Sequence, residues 1–275
     1  MEEQDLIARL NRSGHRLSKG YHRIAEYIGK HYDKAVFMTA SVLGETVGVS
    51  ESTVVRFAFA MGYDGYPQMQ HALRELVRHM LTSAQRFEMS SDIDRDEVPE
   101  RVLKADMHNI RSTVDELNRE DFRRAVNSIL PAKTVYVLGL RSAAPLSQFL
   151  GYYLHFMFDD VRVAAAGSMD VFESIARIDA KDVLIGISFP RYSSRTLEAM
   201  RFARKNGATV IGLSDGPMSP LNEAADVCLC AHTDMASFVD SLVAPMSLIN
   251  ALVIAVGAQN LDKTKAKFSE LEGLI

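Results

Sequence analysis

Asp182-Val-Leu-Ile-Gly-Ile-Ser188 and Ala208-Thr-Val-Ile-Gly-Leu-Ser214 are short apolar runs rich in β-branched residues, separated by a loop and a helix-like stretch over residues 196–206. Arg204 and Lys205 close that stretch and Gly207 follows, so basic charge and a glycine mark a helix stop. Strands that are apolar throughout, instead of alternating, are covered on both faces. Thr134-Val-Tyr-Val-Leu-Gly139 is a run of the same kind, followed by a loop and a helix with Pro145 in its first turn. Val161-Arg-Val-Ala164 and Ala225-Asp-Val-Cys-Leu-Cys230 supply two further strands. Strands alternating with helices predict a parallel, doubly wound sheet.

The chain before residue 82 reads as helices alone. Tyr21, Ile24, Ala25 and Ile28 recur at the spacing of one helical face, with Ser18 as N-cap. Short helices are expected over 39–47 and 51–61, separated by the turn Gly48-Val49-Ser50, and another over 67–80. Gly62 stands where a helix C-terminus favours glycine. A short helix, a glycine turn and a serine-capped second helix form a helix-turn-helix pattern. Val54, Ala58 and Met61 share one face of the second helix, leaving Ser52, Thr53 and Arg56 for base edges. Arg56 suits guanine O6 and N7, and Thr53 a thymine methyl or a phosphate. Ser50 and the free amides of the first turn suit a phosphate. The alternative is an ordinary helical hairpin with Arg56 as a solvated surface residue.

The chain has 275 residues, 47% hydrophobic and 24% charged, with net charge −4. This is a folded composition of roughly two domains, and a pI near 6.1 excludes nucleic-acid binding through bulk charge alone. Two cysteines exclude a disulfide framework and a four-cysteine zinc site. No secretory signal opens the chain, and the apolar stretch 241–257 is interrupted by Pro245, Ser247 and Asn250. It is expected to be a buried core or subunit-interface helix, in a soluble, cytoplasmic protein without membrane contact. Residues 88–100 are acidic and aromatic-free and read as an exposed connection, followed by a polar helix near 101–117. The expected domains are 1–82, a connection over 83–120, and 121–275.

Ligands of parallel sheets sit beyond the carboxyl ends of the strands. Two loops stand there, Gly139-Leu140-Arg141-Ser142-Ala143-Ala144 and 188–196, each leading into a helix N-terminus that favours anions. Arg141, Arg191 and Arg195 add guanidinium groups. Ser142, Ser188, Ser193, Ser194 and Thr196 add hydroxyls, and Glu198 is placed to accept from a sugar hydroxyl. Serines after strands are also ordinary N-caps, but three arginines in two such loops point to an anion. Cys228 and Cys230 read as buried structural thiols, and His155 as a packed residue. His232 and Asp234 have no nucleophile to serve, so no catalytic residue, metal or cofactor is expected.

Val47-Gly-Val-Ser-Glu-Ser-Thr-Val-Val-Arg-Phe57 with Met61-Gly-Tyr-Asp-Gly-Tyr-Pro67 resembles the recognition helix and following turn of the RpiR family of bacterial transcription regulators. Ser193-Ser-Arg-Thr-Leu-Glu198 and Asp215-Gly-Pro-Met-Ser-Pro-Leu221 with Ala225-Asp226 resemble the pattern of a sugar-isomerase (SIS) domain. The resemblance implies an α+α/β protein, with an all-helical helix-turn-helix domain joined to a doubly wound SIS domain. It also implies palindromic operator DNA, a homodimer or homotetramer, and a phosphosugar effector. Two departures bear on the ligand. In the family's Gly-x-Gly-x-Ser loop, Arg141 takes the second glycine and Ala143 the serine; in its second loop, Ser194 takes a glycine position. Guanidinium groups thus partly replace a neutral hydroxyl cradle, and the effector expected is an anionic sugar, either a phosphosugar or a sugar acid. The leading expectation is a non-enzymatic regulator of carbohydrate catabolism; the alternatives are an SIS-type sugar-phosphate isomerase with a helical appendage, or a ligand-binding adaptor.

Overall fold

A computed structural model describes residues 17–36, 38–70, 72–73, 96–164, 170–235, 239–261, 264–265 and 269–270. The chain divides into two units, Met1–Ser91 and Asp92–Ile275.

In the first unit three helices, Lys19–Lys30, Ala40–Val47 and Glu51–Ala60, each begin at a hydroxyl N-cap. Ser18, Thr39 and Ser50 accept from the amides of Tyr21, Val42 and Thr53 at 3.3, 3.2 and 3.3 Å, which satisfies donors that the helix itself leaves open. Of the expected stripe Ile24 and Ile28 are buried, in one cluster with Leu43, Val54, Phe57, Ala58 and Met61, and Tyr21 and Ala25 pack half-buried against it. Residues 66–70 are helical, and Tyr66 Oη and Gln70 Nε2 both donate to the Met38 carbonyl, at 2.6 and 2.9 Å. The rest of the helix expected over 67–80 lies largely outside the described residues, as does much of the connection over 88–100.

The second unit carries five parallel strands in the order β2-β1-β3-β4-β5: β1 Val135–Gly139, β2 Val161–Ala164, β3 Val183–Ile187, β4 Thr209–Ser214 and β5 Val227–Cys230. Every residue of β1 and β3 is buried, as continuous apolar runs require. Successive side chains go to opposite faces. Val135, Val137, Ile185, Ile187, Ile211 and Leu213 pack with the helices Arg119–Ile129, Ala144–Leu154 and Val243–Gln259. Tyr136, Leu138, Leu184 and Val210 pack with Val171–Ile175, Ser194–Lys205 and Leu221–Ala224.

The structure adds elements that the sequence reading passed over: the helices Arg119–Ile129, Val171–Ile175 and Leu221–Ala224 and a 3-10 turn Arg141–Ala143. The polar helix starts earlier than expected, at Val98–Glu116, because Pro99 fits a first helical turn, where no amide bond is lost. It is built into the second unit through Asn109, Thr113 and Asp106. The last helix, expected as a buried core or subunit-interface helix, buries one face. Ala244, Leu248, Ile249, Leu252, Val253 and Val256 face the core, whereas Ile254 is 63% exposed. No helix among the described residues is long and apolar enough to cross a membrane.

Candidate functional site

The turn between the second and third helices of the first unit depends on two glycines. Gly48 ends the helix Ala40–Val47 in the left-handed region, with φ +70°. Gly44, one turn earlier, faces the turn so closely that a β-carbon would sit 2.9 Å from the Val49 carbonyl oxygen and 3.3 Å from the Glu51 amide. That approach holds the third helix against the second. On the third helix Val54, Phe57, Ala58 and Met61 are buried, and Ser52 and Arg56 are exposed. The Arg56 guanidinium folds back along its own helix, Nε donating to the Ser52 carbonyl at 3.2 Å. Ser50 Oγ lies 3.0 Å from Ser52 Oγ and 2.8 Å from Thr53 Oγ1, a cluster of hydroxyls at the helix N-terminus. The Thr53 methyl faces Gly20 and not outward: a β-carbon on Gly20 would lie 3.5 Å from it. Arg23 was missed by motif reading. Its guanidinium lies 3.2 Å from where a Gly48 β-carbon would be, beside the turn. The signal was its place off the apolar stripe of 21, 24, 25 and 28.

In the second unit β1 connects outward to β2 and β3 to β4, so the switch point lies between β1 and β3. Gly139 and Ile187 end those strands side by side. A cavity of about 120 Å³ opens beyond them, lined by Leu140, Arg141, Ser142, Ala143, Ser188, Phe189, Pro190, Arg191 and Ser193. Gly139 is required there, because a β-carbon would lie 2.6 Å from the Ala143 carbonyl oxygen. Arg141 and Arg191 have φ +56° and +64°, the only non-glycine residues with positive φ among those described. Each such conformation costs on the order of 1 kcal/mol, and both fall on the wall of one cavity. The second loop is held from several sides. Ser188 Oγ accepts from the Ser193 amide at 3.1 Å, Ser193 Oγ caps the following helix at the Thr196 amide, and Tyr192 Oη donates to Asp215 at 2.7 Å.

Residues 128–255 match the SIS domain, and residues 4–78 match the helix-turn-helix domain of the rpiR family. The chain belongs to the RpiR family. It is similar to the HTH-type transcriptional regulator HexR of Pseudomonas aeruginosa, at 26% identity over 87% of this chain and 85% of that one. The sugar isomerase domain of an RpiR transcription factor from Sphaerobacter thermophilus superposes with TM-score 0.61 and 26% identity, over 64% of this chain and 98% of that one. The NanR protein of Vibrio vulnificus, solved with ManNAc-6P, shares the fold over 98% of this chain and 99% of that one, with TM-score 0.58 and 20% identity. This RpiR-family chain is a helix-turn-helix transcriptional regulator with an SIS domain.

Of the residues expected at the SIS site, Arg141, Ser142, Ser188, Arg191 and Ser193 come together on the cavity wall; Phe189 and Pro190, unforeseen, join them. Ser194, Arg195, Thr196 and Glu198 lie outside that wall. Arg195 is ion-paired with Asp170, whose carboxyl is held below its ordinary value by the Phe172 amide and then by that guanidinium. Thr196 is fully buried, and its hydroxyl has no hydrogen-bond partner among the described residues. Ser194 and Glu198 are exposed on the following helix. Cys228 and Cys230 are less deeply buried than expected and line a separate cavity of about 250 Å³ with Glu116, Asp121 and His232. The hydrogen bond between the two thiols and then burial push Cys228 up; the same bond holds Cys230 down. His232 Nε2 pairs with Glu116 at 2.9 Å, and Asp234 meets Asn109 through its backbone. No group of three or more metal-ligating side chains occurs among the described residues.

Proposed function

We propose that this RpiR-family regulator controls carbohydrate catabolism by binding a palindromic operator as a homodimer or homotetramer in the cytoplasm, released or retained by an anionic sugar in the SIS cavity. The domains proposed are a reader over 1–82, a connection over 83–120 and a sensor over 121–275. On the reader, Arg56 and Ser52 take base edges, Ser50 and Thr53 take the hydroxyl cluster to a phosphate, and Arg23 adds a phosphate contact beside the turn. On the sensor, the ligand's anionic group sits between Arg141 and Arg191, with donors from Ser142, Ser188 and Ser193. Ser194, Arg195, Thr196 and Glu198 serve a ligand only as it extends past the cavity along the next helix.

The observation that carries this reading is the pair of left-handed arginines on one small cavity at the switch point. Strain kept in two neighbouring loops, with cationic side chains at both, fits an anion site better than a structural loop. The NanR complex with ManNAc-6P supports a phosphosugar; the guanidinium pair serves a sugar carboxylate equally well. Among the described residues the cavity wall carries no His, Asp, Glu, Lys or Cys, and so no general base for isomerisation, which supports binding without turnover. Mobility shift of the chain on promoter DNA of its own operon, with and without sugar phosphates and sugar acids, tests the reading. A shift relieved or strengthened by one anionic sugar is expected; indifference to all of them, or stabilisation only by neutral sugars, sinks it.

A further inference from the structure

The helix Glu51–Ala60 carries one large apolar side chain outside the core. Phe59 is 56% exposed and belongs, among the described residues, neither to the buried cluster of the first unit nor to the half-buried side chains packed on it. At 3.6 residues per turn, Ser52, Arg56 and Phe59 fall within about 60° of one another round the helix. They stand about 180° from the buried line of Val54, Phe57, Ala58 and Met61. Phe59 thus continues, one turn further on, the exposed row that holds Ser52 and Arg56.

That row changes character along its length. Its first half is polar, with the Ser50, Ser52 and Thr53 hydroxyls gathered at the helix N-terminus. Arg56 leans toward that half, its Nε donating to the Ser52 carbonyl at 3.2 Å, and so is drawn away from Phe59. The second half offers no side-chain donor or acceptor: Val55 is half-buried, and Phe59 and Ala60 are exposed. A single exposed phenylalanine is ordinary on a protein surface. Its place opposite the core of a recognition helix is what gives it meaning. A protein seated on Phe59 would block the side of the helix that enters DNA, so the two contacts exclude each other. Membership of the rpiR helix-turn-helix family makes the major groove the occupant of this face. Base edges there present donors and acceptors, and the group that an apolar side chain matches is the C5 methyl of thymine.

We propose that Phe59 packs on a thymine C5 methyl of the operator and sets a sequence preference beside the base that Arg56 contacts. The rise per residue puts Phe59 roughly 4.5 Å beyond Arg56 along the helix, against about 3.4 Å between base pairs. The thymine therefore stands one or two base pairs from the Arg56 contact. The proposal deepens the operator reading put forward above and rests on it.

Promoter DNA of the chain's own operon, amplified with deoxyuridine triphosphate in place of thymidine triphosphate, tests it. Uracil keeps the pairing edge and O4 of thymine and lacks only the methyl. Fluorescence anisotropy compares the full-length wild type and Phe59→Ala on both fragments. The wild type should bind the uracil fragment about 4-fold more weakly for each methyl contact, the worth of one such group returned to water. Phe59→Ala should bind the thymine fragment more weakly by at least that factor and lose the difference between the fragments. Any change in DNA bending on loss of the methyls is common to all variants, so it leaves this difference of differences untouched. Phe59→Leu, still apolar and a good helix former, should restore part of the discrimination. The circular dichroism spectrum should be unchanged in both variants, since the side chain is exposed. A wild type that binds both fragments equally, or a Phe59→Ala that keeps the full wild-type discrimination, overturns the contact and leaves the operator reading standing. A wild type that binds neither fragment overturns both. Loss of oligomer mass in Phe59→Ala with discrimination intact assigns the side chain to a protein contact and equally overturns the proposal.

Discussion

Two turns in this chain take the left-handed backbone for opposite ends. In the reading unit Gly48 does so at φ +70°, where glycine costs nothing sterically and the product is shape, a third helix seated against the second. In the sensing unit Arg141 and Arg191 do so at φ +56° and +64°, where a side chain costs energy and the product is charge at a cavity wall. The first turn spends nothing and is built for stability; the second keeps strained backbone at two arginines on the wall of one cavity. Packing rules therefore explain the reader, and electrostatics explain the sensor.

Gly44→Ala should break the comparison most severely. Its methyl would sit 2.9 Å from the Val49 carbonyl oxygen, backbone that has no room to yield, so about 2 kcal/mol of stability should be lost from the first unit. Urea denaturation monitored on the tyrosines of that unit reads the loss, and operator affinity should fall with it. Arg56→Ala should separate shape from recognition: about 10- to 100-fold weaker operator binding by fluorescence anisotropy, with the melting temperature unchanged. Operator binding that survives it would mean the base-reading helix is misassigned.

Arg141→Gly sharpens the sensor's side. Removing a non-glycine residue from the left-handed region should stabilise the second unit by about 0.5–1 kcal/mol in thermal denaturation while abolishing the response to anionic sugars. A variant that loses stability would show that the arginine is held by packing and not by function. The smallest effect concerns Asp170. Its carboxyl titrates lower in the folded chain, so the contribution of its charge is present above the ordinary value of 3.8 and is lost as pH falls through the depressed value. Asp170→Asn should accordingly lower the melting temperature slightly at pH 7, and the difference from wild type should close as the pH is taken below 4.

The sheet was legible because β1 and β3 are buried on both faces, and full burial writes an uninterrupted apolar run. The helix-turn-helix was legible because its caps and its glycine turn are local chemistry. Arg119–Ile129 went unread although Asn118 caps it and Phe122, Ala125, Val126 and Ile129 fall on one face; its long polar prefix concealed the period. The cavity was legible only in part. Strand ends announced which loops lead to it, but not which side chains line its wall: Arg141 and Arg191 reach it from left-handed backbone, and Arg195 pairs with Asp170 outside it. Thr196 reads as a cradle hydroxyl and is enclosed by the core instead. The docking of Val98–Glu116 was beyond reach, since its apolar stripe predicts the opposite side inward.

The left-handed arginines also carry a consequence for heredity. Every arginine codon stands one base change from a glycine codon, and glycine accepts the same backbone without strain. A single nucleotide therefore toggles each wall of this cavity between a cationic and a neutral cradle while the loops keep their path. Ligand preference in such a sensor is free to drift faster than its fold.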